Sequence, residues 1–143
     1  MSKIALQLTH SVEADVSLAF AWQYRTNIAT WNDPPATFDL DGPFATGTQG
    51  TTLLPGQEPL RWLIRDVRPG ESFVIEMPLD RASLTFEWRF QELPGARTKL
   101  TQHVVLSGEN AAAYTAQVEA GFGANLPDGM RKASAEMETA YSR

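Results

Sequence analysis

The chain has 143 residues, 43% hydrophobic and 20% charged. This balance suits one globular domain over residues 1–143 and excludes the low-hydropathy, high-charge signature of disorder. Twelve basic against seventeen acidic residues leave a net charge of −5, so the field of the whole protein repels phosphate backbones and anionic lipid, and nucleic acid is not an expected partner. Cysteine is absent, which removes disulfides, thiol nucleophiles and thiolate metal sites. The opening segment MSKIALQLTHSVEAD has no apolar core of signal-peptide length, and no apolar run is long enough to span a bilayer, so a cytoplasmic location is expected.

Residues 4–13 alternate, with Ile4, Leu6, Leu8, His10 and Val12 on one side and polar residues on the other, as in a half-buried strand. Asp15 reads as an N-cap for a short helix over 16–25, with Val16, Ala19, Phe20 and Gln23/Tyr24 on one stripe. A second short helix around 28–31 ends before Asn32-Asp33-Pro34-Pro35. Extended runs follow at 37–41, 50–54, 60–68 and 72–78, separated by Gly- and Pro-rich turns.

Two stronger strands come next. Residues 82–93 put Leu84, Phe86, Trp88 and Phe90 on one face; the turn Pro94-Gly95-Ala96 leads into 99–108, where Leu100, Gln102, Val104 and Leu106 share a face. Such short connections require antiparallel neighbours, so the expected sheet is a seven-stranded meander. Asn110 opens a helical stretch that Gly121-Phe122-Gly123 interrupts. From Leu126, with Pro127 in its first turn, Met130, Ala133, Met137, Ala140 and Tyr141 recur at helical spacing to the C-terminal end. The fold class is α+β.

Dimensions then predict a void. Seven strands of about ten residues make a sheet face of roughly 34 by 33 Å. A helix of ~15 residues is only ~23 Å long and ~10 Å wide. The sheet must curl around the helix, and large inward side chains that do not meet leave a cleft.

The order strand, two short helices, six strands, long helix resembles the START and polyketide-cyclase (SRPBCC) superfamily and its helix-grip fold over almost the whole chain. Local stretches carry the resemblance: Ala14-Asp15 through Phe20 to Trp31-Asn32; Leu40-Asp41-Gly42-Pro43-Phe44 with Gly47 and Gly50; Trp62 through Val67-Arg68-Pro69-Gly70; Gly95-Ala96-Arg97-Thr98. The helix entry Asn125-Leu126-Pro127-Asp128-Gly129-Met130 is similar to that of a bacterial, polyketide-cyclase-like branch. The resemblance implies a curved seven-stranded antiparallel sheet around the last helix, and a hydrophobic ligand cavity. It carries over no catalytic residue, because the matching stretches shape turns and packing.

Candidate ligand-binding residues follow from strand parity and helical spacing. His10 shares the apolar side of its strand and could donate to a ligand carbonyl or act as an acid or base; the plainer reading is a core histidine satisfied by backbone. Gln102 is a second polar anchor, or an amide bonded to neighbouring backbone. Trp62, Phe73, Phe86 and Trp88 are assigned to the sheet side of the cavity and Met130, Met137 and Tyr141 to the helix side, against the alternative of a filled core. Arg65, Asp66 and Glu76 are expected to pair across the sheet surface unless a bulge turns one inward. His103 has outward parity, and two widely spaced histidines give no metal motif; no metal or other cofactor is expected.

Three functions fit these residues: binding of a small hydrophobic, lipid-like or polyketide-like molecule; cyclisation or dehydration of a carbonyl-rich substrate; or a stress-related protein-interaction module whose cleft is incidental. A homodimer through exposed strand or helix surfaces is compatible with each.

Overall fold

The computed structural model describes residues 4–31 and 35–142; Asn32, Asp33 and Pro34 of the expected turn lie outside them. Strands β1 (Ile4–Ala14), β2 (Thr37–Leu40), β3 (Gln49–Leu53), β4 (Leu60–Arg68), β5 (Ser72–Leu79), β6 (Ala82–Leu93) and β7 (Arg97–Ser107) form one antiparallel sheet in the order β1-β7-β6-β5-β4-β3-β2. Every sequential pair from β2 onward is adjacent, and β1 closes onto β7. The inward faces of β6 and β7 carry the expected residues: Leu84, Phe86, Trp88 and Phe90 pair with Leu106, Val104, Gln102 and Leu100. With a long C-terminal helix on this face, the architecture is the α+β helix-grip fold.

Two bulges tune the strands. On β4, Arg65 pairs with Val74 and Arg68 with Ser72, so one extra residue is inserted, and Asp66 takes a left-handed φ of 51°. The inserted residue puts Val67 against the core three positions after Ile64. The bulge turns neither charge inward: Arg65 binds Glu76 at 2.8 Å and lies 3.7 Å from Asp66 on the outer face. On β1, a register shift between Ile4 and Leu6 releases Ile4 from the inward row, and it is exposed.

Helix α1 (Leu18–Arg25) is capped by Ser17, whose hydroxyl accepts the Phe20 N–H at 3.2 Å. Asp15, expected as the cap, instead binds Arg97 at 2.7 Å. The buried stripe is rotated from the expected one: Ala21 is buried, while Ala19 and Gln23 are exposed. A residue as small as Ala21 lets the helix approach the sheet closely, leaving Trp22 and Arg25 to flank that contact. A 3₁₀ turn (Ile28–Thr30) follows.

After β7, the chain runs through a 3₁₀ turn (Ala111–Tyr114), α2 (Thr115–Val118) and a π-turn (Glu119–Gly123) into α3 (Leu126–Tyr141). The π-turn stands where the glycines were expected to interrupt the helix. Asn110 does not cap with its side chain, which donates to the Asp80 carbonyl. Helix α3 presents Met130, Ser134 and Met137 to the interior, and Glu138 on it accepts the Asp15 N–H at 2.8 Å. Among the described residues, no helix is long and apolar enough to cross a membrane.

Candidate functional site

Helix α3 rests on β1. A cavity of about 540 Å³ lies between α3 and the inner faces of β3 to β7, within the range of small-molecule sites. Its sheet wall is made by Thr52, Trp62, Ile75, Met77, Phe86, Trp88, Gln102 and Val104. The helix wall is Leu126, Gly129, Met130, Ala133 and Met137, with Lys132 and Glu136 also lining it. Phe122 of the π-turn closes one side, its ring edge-on to Phe86 at 5.1 Å.

Local backbone chemistry builds the remaining wall. Thr26 ends α1 by donating its hydroxyl to the Trp22 carbonyl at 2.7 Å. Asn27 Oδ1 accepts the Ala29 N–H, and the Thr30 hydroxyl reaches the Tyr24 and Asn27 carbonyls. The turn so fixed folds Trp31 back, and its indole Nε1 donates to the Arg25 carbonyl at 2.8 Å. Trp31 then stacks on Trp62 with centroids 5.7 Å apart and meets Phe38 edge-on at 5.3 Å.

Trp62 is itself positioned twice. Its indole N–H donates to the Thr52 hydroxyl at 3.0 Å. Its ring lies over Gly50, its register partner on β3, so closely that a Cβ built there would sit 2.2 Å from the ring. Only glycine leaves room for this approach.

Arg25 is the polar centre of this aromatic wall. Its guanidinium carbon lies 4.2 Å from the Trp88 ring centroid and 4.9 Å from that of Trp31, within cation–π range. Its Nε is buried without a hydrogen-bond partner. Desolvation pushes the guanidinium pKa down to about 10, with the charge of Glu136 and the proximity of Tyr24 opposing the shift.

Of the residues expected from sequence to face a ligand, the structure brings Trp62, Phe86, Trp88, Gln102, Met130 and Met137 together around the cavity. It does not bring His10, Phe73 or Tyr141 there. His10 has the expected inward parity and pairs with Gln102, but β1 is where α3 packs, and the hollow opens over the strands beyond. Phe73 is fully buried in a solid cluster with Trp22, Phe44 and Phe90. Tyr141 lies against Phe20 at 4.8 Å and is largely exposed. His103 faces outward, 3.1 Å from Gln7.

Sequence reasoning passed over Arg25 and Trp31 as site residues. The signal was spacing: Arg25 stands four residues after Ala21 and three after Trp22, on the stripe that α1 buries. Aligning the stripe on Phe20 instead left Arg25 on the solvent side.

Comparison with protein-family models and with curated protein sequences returns no match. Solved structures do match. Norcoclaurine synthase from Thalictrum flavum, a point mutant in complex with a transition-state analogue, superposes with a TM-score of 0.74 at 11% identity, covering 100% of this chain and 98% of that one. The Zhui aromatase/cyclase from Streptomyces sp. R1128 gives 0.70 at 15% identity, covering 93% of each chain. Protein NE0264 from Nitrosomonas europaea gives 0.73 at 13% identity over 96% of this chain and 97% of that one. At these identities the likeness shows the fold alone, the α+β helix-grip architecture that the three share with this chain.

Proposed function

We propose that the chain, acting as one domain, binds a small, largely apolar molecule in the cavity between the sheet and α3. The observation that carries this reading is the hollow itself: about 540 Å³ walled by Trp, Phe, Met and aliphatic side chains. Its apolar wall rewards displacement of solvent. The thioethers of Met77, Met130 and Met137 adapt to a guest's shape. Titration of the protein with a library of apolar ring compounds, followed by tryptophan fluorescence, tests the reading. Saturable quenching that Trp62→Ala weakens supports it; a signal indifferent to the whole library rejects it.

A second reading is favoured by the names of two structural neighbours, a synthase and an aromatase/cyclase, together with charged groups in the cavity wall. In this reading the bound molecule is cyclised or dehydrated. The groups placed for proton transfer are Glu136 and Lys132 on α3, not His10. Glu136→Gln should then abolish turnover of an identified substrate with binding nearly unchanged. Unchanged turnover removes Glu136 as the base.

A further inference from the structure

We propose that Arg25 makes the cavity selective for an aromatic acid, a flat ring-bearing molecule whose carboxylate accepts hydrogen bonds from the guanidinium while its rings lie among Trp31, Trp62 and Trp88. The proposal rests on the reading of the cavity as a ligand site and names the class of guest.

The first reason is that Arg25 is costly where it stands. Its Nε has no hydrogen-bond partner and is shut from water, and an unsatisfied buried donor on a charged group destabilises the fold. Packing against Trp31 and Trp88 would be served as well by a methionine or leucine of similar reach. Nε is closed to a guest as it is to water, so a partner supplied from outside the chain meets the terminal guanidinium nitrogens of a residue that lines the cavity.

The second reason is charge. Among the described residues, the charged side chains lining the cavity are Arg25, Lys132 and Glu136, two cations against one carboxylate in a chain whose total is −5. Lys132 and Glu136 lie 4.0 Å apart on successive turns of α3, and the charge of Glu136 also acts on Arg25, so the two cations share one carboxylate. One surplus positive charge matches a monoanion; a phosphate monoester, near a dianion at neutral pH, is over-charged for it.

The third reason is shape. A guanidinium recognises a planar carboxylate through parallel N–H donors, more selectively than an ammonium does. The neighbouring indoles form a flat aromatic wall, with Trp31 stacked on Trp62 at an interplanar angle of 26°, against which a flat ring packs better than a flexible chain.

The experiment compares 2-naphthoate with its neutral isostere 2-naphthamide, by calorimetry and tryptophan quenching, on the wild type, Arg25→Met and Arg25→Lys, with circular dichroism as the check on folding. The expected result is that wild type binds the acid at least about tenfold more tightly than the amide. Arg25→Met should erase that preference, acid and amide then binding within about twofold of each other, and Arg25→Lys should keep part of it. Equal binding of acid and amide by wild type, or a preference that survives in a folded Arg25→Met, overturns the proposal and leaves the cavity reading standing. If neither compound binds, the cavity reading falls and this proposal with it. Should Arg25→Met fail to fold, the wild-type comparison and Arg25→Lys still decide.

Discussion

Two aromatic clusters occupy the same inner face of one sheet and end differently. Around Phe73, the rings of Trp22, Phe44 and Phe90 close at 4.9–6.1 Å, and Phe73 has no exposed surface. Around Trp62, the rings of Trp31, Phe38 and Trp88 border a hollow. The residue types are alike; what differs is the element opposite. Helix α1 sends the large Trp22 down onto the first cluster, whereas α3 faces the second with Gly129 and Ala133 set between Leu126, Met130 and Met137. Cavity and core are thus decided by the small residues across the gap more than by the aromatics that line it.

The largest effect that can break this comparison is in the closed cluster. Phe73→Ala removes a ring packed on every side and should cost about 4 kcal/mol, read as a shift of the urea midpoint. Trp62→Ala removes a ring that is only 3% exposed but borders the hollow, and should cost about 3 kcal/mol. Equal losses would mean that the two clusters are packed alike.

Gly50→Ala is next. The added methyl drives the Trp62 ring from its place against β3, an overpacking cost of about 1–3 kcal/mol. It should also change tryptophan emission and ligand affinity together. A neutral result on all three would show that Trp62 is not held by that contact.

Arg25→Met sharpens the contrast between stability and function. The fall of the Arg25 pKa from its ordinary value to about 10 corresponds to about 3 kcal/mol at 1.36 kcal/mol per unit, part of which cation–π packing offsets. Because the folded state holds this proton less tightly, unfolding takes up protons between the two values, and stability conferred by deprotonation appears only as pH rises through about 10. At neutral pH the charge is a burden. Its removal should raise stability by about 1 kcal/mol, a few degrees in Tm. A clear fall in Tm would make the guanidinium a structural element.

The smallest effect lies outside both clusters. The Glu76 carboxyl is held below its ordinary pKa, chiefly by the Ser83 hydroxyl and then by Arg65, against some desolvation. Its stabilising contribution is present above the unfolded carboxylate pKa and lost as pH falls through the folded one. Ser83→Ala should cost less than about 1 kcal/mol at pH 7 and flatten the acid limb of the stability curve. An unchanged acid limb would remove the linkage.

Most of the sheet was legible in the sequence because alternation reports directly which side chains share a face. Leu84, Phe86, Trp88 and Phe90 needed nothing else. Alternation cannot report what lies opposite, and so Phe73, correctly inward, was assigned to the hollow although Trp22 fills the space above it. His10 failed for the same reason: its parity was right, but α3 covers β1 and the hollow opens elsewhere. Arg25 was hidden by a one-residue rotation of a helix only eight residues long. In so short an element the buried stripe rests on few residues, and Ser17 rather than Asp15 sets where the helix begins.

The most direct test of a hollow beside a filled core is to add the same bulk to each. Ala133 on α3 lines the cavity and Ala21 on α1 is fully buried. Urea unfolding of Ala133→Leu and Ala21→Leu should show the first within about 0.5 kcal/mol of wild type or more stable, with ligand uptake reduced, and the second destabilised by about 1–3 kcal/mol. Comparable losses at both positions would contradict the account, since they would mean that the space beneath Ala133 is not empty.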